Sequence, residues 1–378
     1  MRLGDSFIWK EGIKMKYLNW LLVFVPITLA VKFGLHTSDG VLFILSCLGI
    51  IPLAGVLGDA TEQISFYTGP KVGGFLNATM GNVPELLISG FAVKAGLYSL
   101  VLASLAGSIL GNLLLVMGMS IIIGGLKYKF LPFNKNITQN NFTLLSFAIF
   151  SISIPFAFKL VNGGDSPALS TFSVTLAVVM VSLYILGLVF SLITHRDIFA
   201  DEPPKKNIFK DMDVEDEIEE EKPEWSFNKS LAIMIGCTIL VAIMSEILVS
   251  TVEGAAEQLG LGQAFIGIIL IPILGNVAEH ASSIMMAYKG KLNISIEIAI
   301  GSSMQIAVFV TPLIVILSAI MGNTMEYVYT PMELLGIIIS IMIAGVIFSD
   351  NKVNWFEGAQ LTAAYVILSG AFLMFGID

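Results

Sequence analysis

Apolar positions run through this chain in long blocks set apart by short polar breaks. "LNWLLVFVPITLAVKF" (18–33) is the first, and similar blocks follow at roughly 40–64, 72–95, 97–124, 140–161, 168–194, 229–258, 262–288, 293–320, 331–348 and 355–376. Each is close to or beyond the length of about 18 residues that a helix needs to cross a bilayer. The second and seventh end in polar residues, so their last turns leave the lipid. The pattern predicts an all-α integral membrane protein with about eleven transmembrane helices. It leaves no room for a soluble catalytic domain, and no enzyme is expected.

Composition strengthens this reading. Of 378 residues, 56% are hydrophobic and 13% charged, far from the usual globular balance. The first block follows "KEGIKMK" and has no small-residue cleavage site before Lys32, so it reads as a retained helix and not a signal peptide. Cys47 and Cys237 both lie in apolar blocks and offer neither a disulfide framework nor a metal motif. With eleven spans and a cytoplasmic N-terminus, 17 of the 20 Lys and Arg fall on the inside, and only Lys32, Lys94 and Lys159 fall outside. That bias follows the positive-inside rule.

Two of the blocks carry the same polar interruption. "GNVPELLISGFAVKAG" (81–96) returns as "GNVAEHASSIMMAYKG" (275–290), 194 residues later. Gly81, Asn82, Val83, Glu85, Ser89 and Gly96 match Gly275, Asn276, Val277, Glu279, Ser283 and Gly290. At the same offset Gly73 falls on Gly267, and the "GS" of "GSILGN" (107–112) on that of "GSSMQI" (301–306). One register shared by so many positions is an internal repeat. Each copy belongs to a block of five spans, and an odd number reverses the direction of entry. The expected architecture is one peripheral helix plus two inverted five-helix repeats, as in secondary transporters. The expected divisions are 1–37 for the tail and peripheral helix, 38–194 for the first repeat, 195–228 for a cytoplasmic acidic linker and 229–378 for the second repeat. Within the linker, eight of the eleven residues from 211 to 221 are acidic.

Asn followed three residues later by Glu has the form of a capping box. A helix start inside an apolar block also means that a spanning helix has been interrupted. Gly81, Gly275 and Pro272 ease such a break. Unwound backbone at membrane depth is tolerated only where it is buried in protein or lines a cavity. A carboxylate at that depth costs about 3 kcal/mol on insertion scales. Here Glu85 and Glu279, related by the repeat, are expected to approach each other. Two nearby carboxylates are neutralised by two protons or by one divalent cation. Asn82 and Asn276, hydroxyls and freed carbonyls supply further oxygens. That set suits a hard cation, Ca²⁺ or Mn²⁺, and not zinc. The two occupants exclude each other, as proton-coupled exchange requires.

These motifs resemble those of the CAX family, the Ca²⁺/H⁺ antiporters of the calcium/cation exchanger superfamily. "GGFLNATMGNVPELLISGFAVKAG" (73–96) and "GNVAEHASSIMMAYKGK" (275–291) look like its two signatures. "LASLAGSILGNLLLVMG" (102–118), "EIAIGSSMQIAVFV" (297–310) and "NWFEGAQLTAAYVI" (354–367) follow its pattern. The resemblance implies alternating access, with Glu85 and Glu279 as carriers of Ca²⁺ and H⁺ and the first helix of each repeat sliding or tilting. It implies no cofactor and no nucleic acid: Ca²⁺ is cargo, along with Mn²⁺ or other divalent cations. Association of identical chains stays open. The host is a microbial plasma (inner) membrane or a vacuolar membrane.

Other positions keep two readings. Asn82 and Asn276 are ligands or caps. Ser108, Asn112, Ser302 and Gln305 line the site or join helices. His280, beside Glu279, tunes protonation or packs. Among Asp59, Glu62, Glu246, Glu253 and Glu257, the best vestibule candidates are Glu62 and Glu246. The acidic run is a solvated linker or a Ca²⁺ sensor. The nearest alternative function is a Na⁺-coupled exchanger of the same fold. An intramembrane metalloenzyme lacks its ligands, since His36, His195 and His280 are scattered. A channel would not need paired single carboxylates on inverted repeats, and an ATP-driven pump has no nucleotide-binding loop here.

Overall fold

The computed structural model describes residues 20–35, 37–162, 167–195 and 223–375. The N-terminal tail 1–19, His36, the acidic run 211–221 and the chain end from 376 lie outside the described residues. The rest is almost wholly helical, because every apolar block must satisfy its own backbone when no water is at hand.

The helices are α1 (Phe24–Gly34), α2 (Asp39–Met80), α3 (Val83–Lys94), α4 (Tyr98–Lys127), α5 (Lys135–Asn162) and α6 (Pro167–Val189). After the linker come α7 (Phe227–Leu259), α8 (Gln263–Gly275), α9 (Val277–Tyr288), α10 (Leu292–Ile320), α11 (Pro331–Ile347) and α12 (Trp355–Phe375). Each of the eleven apolar blocks coincides with a helix or a divided helix. Among the described residues, seven helices pass a strict test of length and hydropathy for crossing a membrane, and α8 with α9 forms a bent eighth. α1 and α11 are shorter, and the block 72–95 is divided between the end of α2 and α3. α2 itself kinks at Gly69 (φ 78°, ψ 170°), which separates the second block from the third. Glycine reaches that conformation without Cβ strain, and Pro70 after it favours the extended ψ.

α4 is buried over nearly its whole length, whereas α5 and α6 leave most of theirs on the surface. The small residues of α4 allow this. A Cβ on Gly107 would lie 2.6 Å from the carbonyl carbon of Ile268 and 2.7 Å from Cγ of Pro272, both in α8. Small side chains let membrane helices approach closely where the hydrophobic effect no longer drives them together. α4 thereby brings Ser108 beside the interrupted span formed by α8 and α9.

The long helices α2 and α7 pack against each other antiparallel and are joined at both ends by glutamine. Before the Gly69 kink of α2, Gln63 Oε1 accepts hydrogen bonds from the N–H groups of Glu224 (2.8 Å) and Trp225 (3.2 Å), just before α7 begins. Near the end of α7, Gln258 Oε1 accepts from the N–H of Gly40 (3.0 Å), at the start of α2. Gln258 thus satisfies a backbone donor that a helix start leaves open, and Gln63 satisfies two in the approach to α7. A Cβ built at Gly40 would lie 3.8 Å from Cβ of Gln258, an ordinary disulfide spacing. Gly40→Cys with Gln258→Cys is therefore expected to form an intramolecular disulfide on mild oxidation. Proteolysis of the linker followed by non-reducing electrophoresis checks it: the two halves should stay together until reduced.

The polar segments gather at the bundle ends. Residues 127–134, 288–293 and 351–354 meet at one end. There Lys127 Nζ donates to the Tyr288 carbonyl (3.1 Å), and the Asn134 N–H donates to Asn293 Oδ1 (2.7 Å). Strands β1 (Leu131–Pro132) and β2 (Lys352–Val353) pair antiparallel there. Elsewhere, Tyr98 Oη donates to the Asn323 carbonyl (3.1 Å), and Lys159 pairs with Glu326 (2.9 Å).

Candidate functional site

Both signature stretches break where glycine meets asparagine. α2 ends at Met80, Gly81 and Asn82 form a turn, and α3 starts at Val83. α8 ends at Gly275, Asn276 is the joint, and α9 leaves at an angle of 59°. The two asparagines share one conformation, φ −98° and ψ 14° for Asn82 against φ −105° and ψ 12° for Asn276.

The capping-box alternative is overturned. Neither asparagine side chain caps the helix that follows it. Asn82 Nδ2 donates to Gln305 Oε1 (2.7 Å), and Asn276 Nδ2 donates to Ser108 Oγ (3.2 Å) and to the Pro272 carbonyl (3.1 Å). Asn112 Nδ2 donates to Ser302 Oγ (3.3 Å). Three side-chain bonds therefore join residues before the linker to residues after it. The same sequence pattern behaves differently outside the breaks. Thr330 and Glu333 form a reciprocal capping box at the start of α11. At the start of α12, Asn354 Oδ1 accepts from the N–H groups of Phe356 and Glu357, and Glu357 Oε2 accepts from the N–H of Asn354. In those two cases the glutamate returns to the backbone. In the breaks it does not.

Glu85 is buried, and among the described residues neither carboxylate oxygen has a hydrogen-bond partner. Glu279 is partly buried, and its Oε2 is likewise buried and unpartnered among the described residues. The two carboxyl groups are close enough to interact electrostatically, with Asn276 beside Glu85 and Ser302 beside Glu279. Asn276 stops short of good hydrogen-bond geometry to Glu85, as the unpartnered oxygens require. Unpaired carboxylates in such surroundings are costly unless a proton or a cation accompanies them. A small cavity adjoins Glu85, lined also by Ile88, Ser104, Ser108, Ile271, Pro272 and Gly275. Among the described residues no group of three or more His, Cys, Asp or Glu converges, so further oxygens near the pair come from amides, hydroxyls and backbone.

The remaining candidates divide. Ser108, Asn112, Ser302 and Gln305 all bond across the two halves beside the pair. His280 is partly buried next to Glu279, and its ring makes no hydrogen bond among the described residues. Glu62 and Glu246 are exposed, and neither lines the cavity. Sequence reasoning passed over Ser104, Ser89 and Ser245. Ser104 stands one turn before Ser108, on the same face of α4, which is a readable signal. Ser89 and Ser245 are buried, and among the described residues their hydroxyls have no partner. Ser89 was visible as a matched position of the repeat, but its mate Ser283 is bonded to Ser120 (3.1 Å) and Ser295 (2.8 Å).

A bundle of membrane-crossing helices, with one glutamate just after each of two helix breaks and the two near enough to interact, defines an all-α integral membrane protein. The family model for sodium/calcium exchanger proteins matches residues 39–193 and 229–374. The chain is 43% identical to the Ca²⁺/H⁺ antiporter ChaA of Bacillus subtilis, over 95% of this chain and 100% of that one. It is 42% identical to a Ca²⁺/H⁺ antiporter of Aphanothece halophytica, over 93% and 95%. The solved structure of YfkE superposes with a TM-score of 0.80 at 39% identity, covering 95% of this chain and 99% of the other. This chain belongs to the sodium/calcium exchanger protein family and, within it, to the Ca²⁺/H⁺ antiporter (CAX) family.

Proposed function

We propose that this protein exchanges Ca²⁺ for H⁺ across its membrane by alternating access, at a site centred on Glu85 and Glu279. One observation carries the reading: Glu85 and Glu279, one from each half of the chain, follow matched helix breaks near enough to interact, and among the described residues both Glu85 carboxylate oxygens and Oε2 of Glu279 are buried without a hydrogen-bond partner. With both ionised, the pair balances one Ca²⁺. With both protonated, it is neutral and releases the ion. Asn82, Asn276, Ser108 and Ser302 supply neutral oxygens and hold the halves in register. The 43% identical relative is a Ca²⁺/H⁺ antiporter, which supports the choice of ions. We take residues 38–194 and 229–378 as the two inverted repeats, with the N-terminus cytoplasmic.

Alternation requires two halves that are not equivalent at any instant. Gly107 is pressed against α8, whereas a Cβ on Gly301, at the same register of the repeat, would meet no described atom within 4 Å. That inequality means only that the two matched glycines do not have equivalent surroundings in this structure.

Uptake of radioactive calcium into proteoliposomes with an imposed pH gradient, with and without Na⁺, tests the function. Uptake driven by the pH gradient alone is expected. Uptake that follows Na⁺ and ignores pH would overturn the proton reading in favour of sodium coupling. Apparent Ca²⁺ affinity should rise with pH, because protons and Ca²⁺ compete for the same oxygens and fewer protons compete as pH rises. Titration of initial uptake rates against Ca²⁺ at several pH values checks the sign.

A further inference from the structure

A second cleft, of about 460 Å³, opens where α4 ends and α12 begins. Its lining is Gly125, Leu126, Lys129, Phe130, Asn354 and Trp355. The β1–β2 pair frames it: Pro132 is opposite Lys352, and the Phe133 N–H donates to the Asn351 carbonyl (3.2 Å). The ammonium of Lys352 lies 4.6 Å from the centre of the Phe130 ring, and that of Lys129 lies 6.0 Å from the same ring. Neither lysine makes an ion pair among the described residues. Their neighbour Lys127 is already engaged, between the rings of Tyr128 (4.9 Å) and Tyr288 (4.2 Å). The cleft continues into apolar surface, with Leu126, Trp355 and Phe356 all exposed.

Two cations beside one ring and an apolar face below them call for a ligand with an anionic head and apolar tails. We infer that this cleft binds an anionic phospholipid. The headgroup phosphate sits between Lys129 and Lys352, and the acyl chains run along Leu126, Trp355 and Phe356. Scattered interfacial lysines and aromatics are expected on any membrane protein. Here the strand pair fixes the backbone of Lys352 in the ladder and of Lys129 just before it, so little ordering remains to be done on binding. Each lysine near a membrane surface favours an anionic lipid about fivefold, so the pair favours it about 25-fold over a zwitterionic one. The lipid would bridge α4, which carries Ser108 and Asn112, to α12.

The test uses the full chain in detergent, mixed with equal amounts of phosphatidylglycerol and phosphatidylcholine, and read by native mass spectrometry. The wild type should retain phosphatidylglycerol preferentially. Lys129→Gln with Lys352→Gln should lose most of that preference, and Lys94→Gln, at a different place on the bundle, should keep it. Both cleft lysines are exposed, so the double variant leaves the core intact. In a second measurement, phosphatidylglycerol should shield Lys129 and Lys352, but not Lys94, from an amine-reactive reagent. Equal lipid preference in the double variant would overturn the inference. So would equal shielding by inorganic phosphate alone, which would make the cleft a site for the free anion.

Discussion

Exchange of Ca²⁺ for protons is expected to fall to background in Glu85→Gln and, separately, in Glu279→Gln. Glutamine keeps the size of the side chain and part of its hydrogen bonding, but it is fixed neutral, as if permanently protonated. The remaining carboxylate then faces Ca²⁺ alone, and one positive charge stays uncompensated in a poorly polarisable interior. A lone charge at membrane depth costs about 3 kcal/mol, which is about 100-fold in affinity. Proton coupling is lost along with it, since the substituted group has no proton to exchange. Neutral ligands should matter less. Asn82→Ala removes one side-chain hydrogen bond to Gln305, and Asn276→Ala removes those to Ser108 and Pro272. A hydrogen bond is worth about 1 kcal/mol net, so Asn82→Ala should lose roughly fivefold and Asn276→Ala at most about 30-fold. Calcium uptake driven by a pH gradient is the readout, with gel filtration to verify folded protein. Monodisperse glutamine variants that exchange at wild-type rate would sink the two-carboxylate mechanism.

The positions of the helices and of the breaks were legible because they depend on local chemistry. Lipid demands helices of a set length, and Gly81–Asn82 and Gly275–Asn276 mark where those helices part. What Asn82 and Asn276 do with their amides was not legible. The pattern at 82–85 and 276–279 is the same as at 354–357, where the capping box forms. The difference lies in what stands opposite. Gln305 and Ser108, more than 160 residues away in sequence, draw the amides of the breaks across the molecule. The joint of α2 with α7 was hidden for the same reason. Gln63 and Gln258 are unremarkable polar residues until the partner helix start is placed against them. At 245–246 the charge drew attention to Glu246, yet helix α7 buries Ser245 and turns Glu246 outward. A helix shows opposite sides at adjacent positions, and α7 carries apolar residues on too many sides for the inner face to be read from its sequence.

Gly107→Ala should destabilise the protein, whereas Gly301→Ala should leave its stability unchanged or improve it. The repeat places these glycines at one register, and on an otherwise open helix surface each change would favour the helix by about 1 kcal/mol. Their surroundings separate them. The new methyl at Gly107 would overlap the Ile268 backbone and press on Pro272, while at Gly301 no described atom beyond its own turn of helix lies within 4 Å. Backbone cannot rotate aside as a long side chain can, so α4 must move away from α8. Overpacking of this kind costs roughly 1–3 kcal/mol, more than the helix gains. The movement also draws Ser108 away from Asn276, whose bond is already 3.2 Å long, and so loosens one side of the proposed Glu85–Glu279 site. Gly107→Ala should therefore lower the thermal unfolding temperature and slow exchange together. The check is thermal unfolding of both purified variants in detergent, with calcium uptake measured for Gly107→Ala. Equal unfolding temperatures for the two variants would mean that α4 and α8 do not approach as closely as the backbone contact at Ile268 requires.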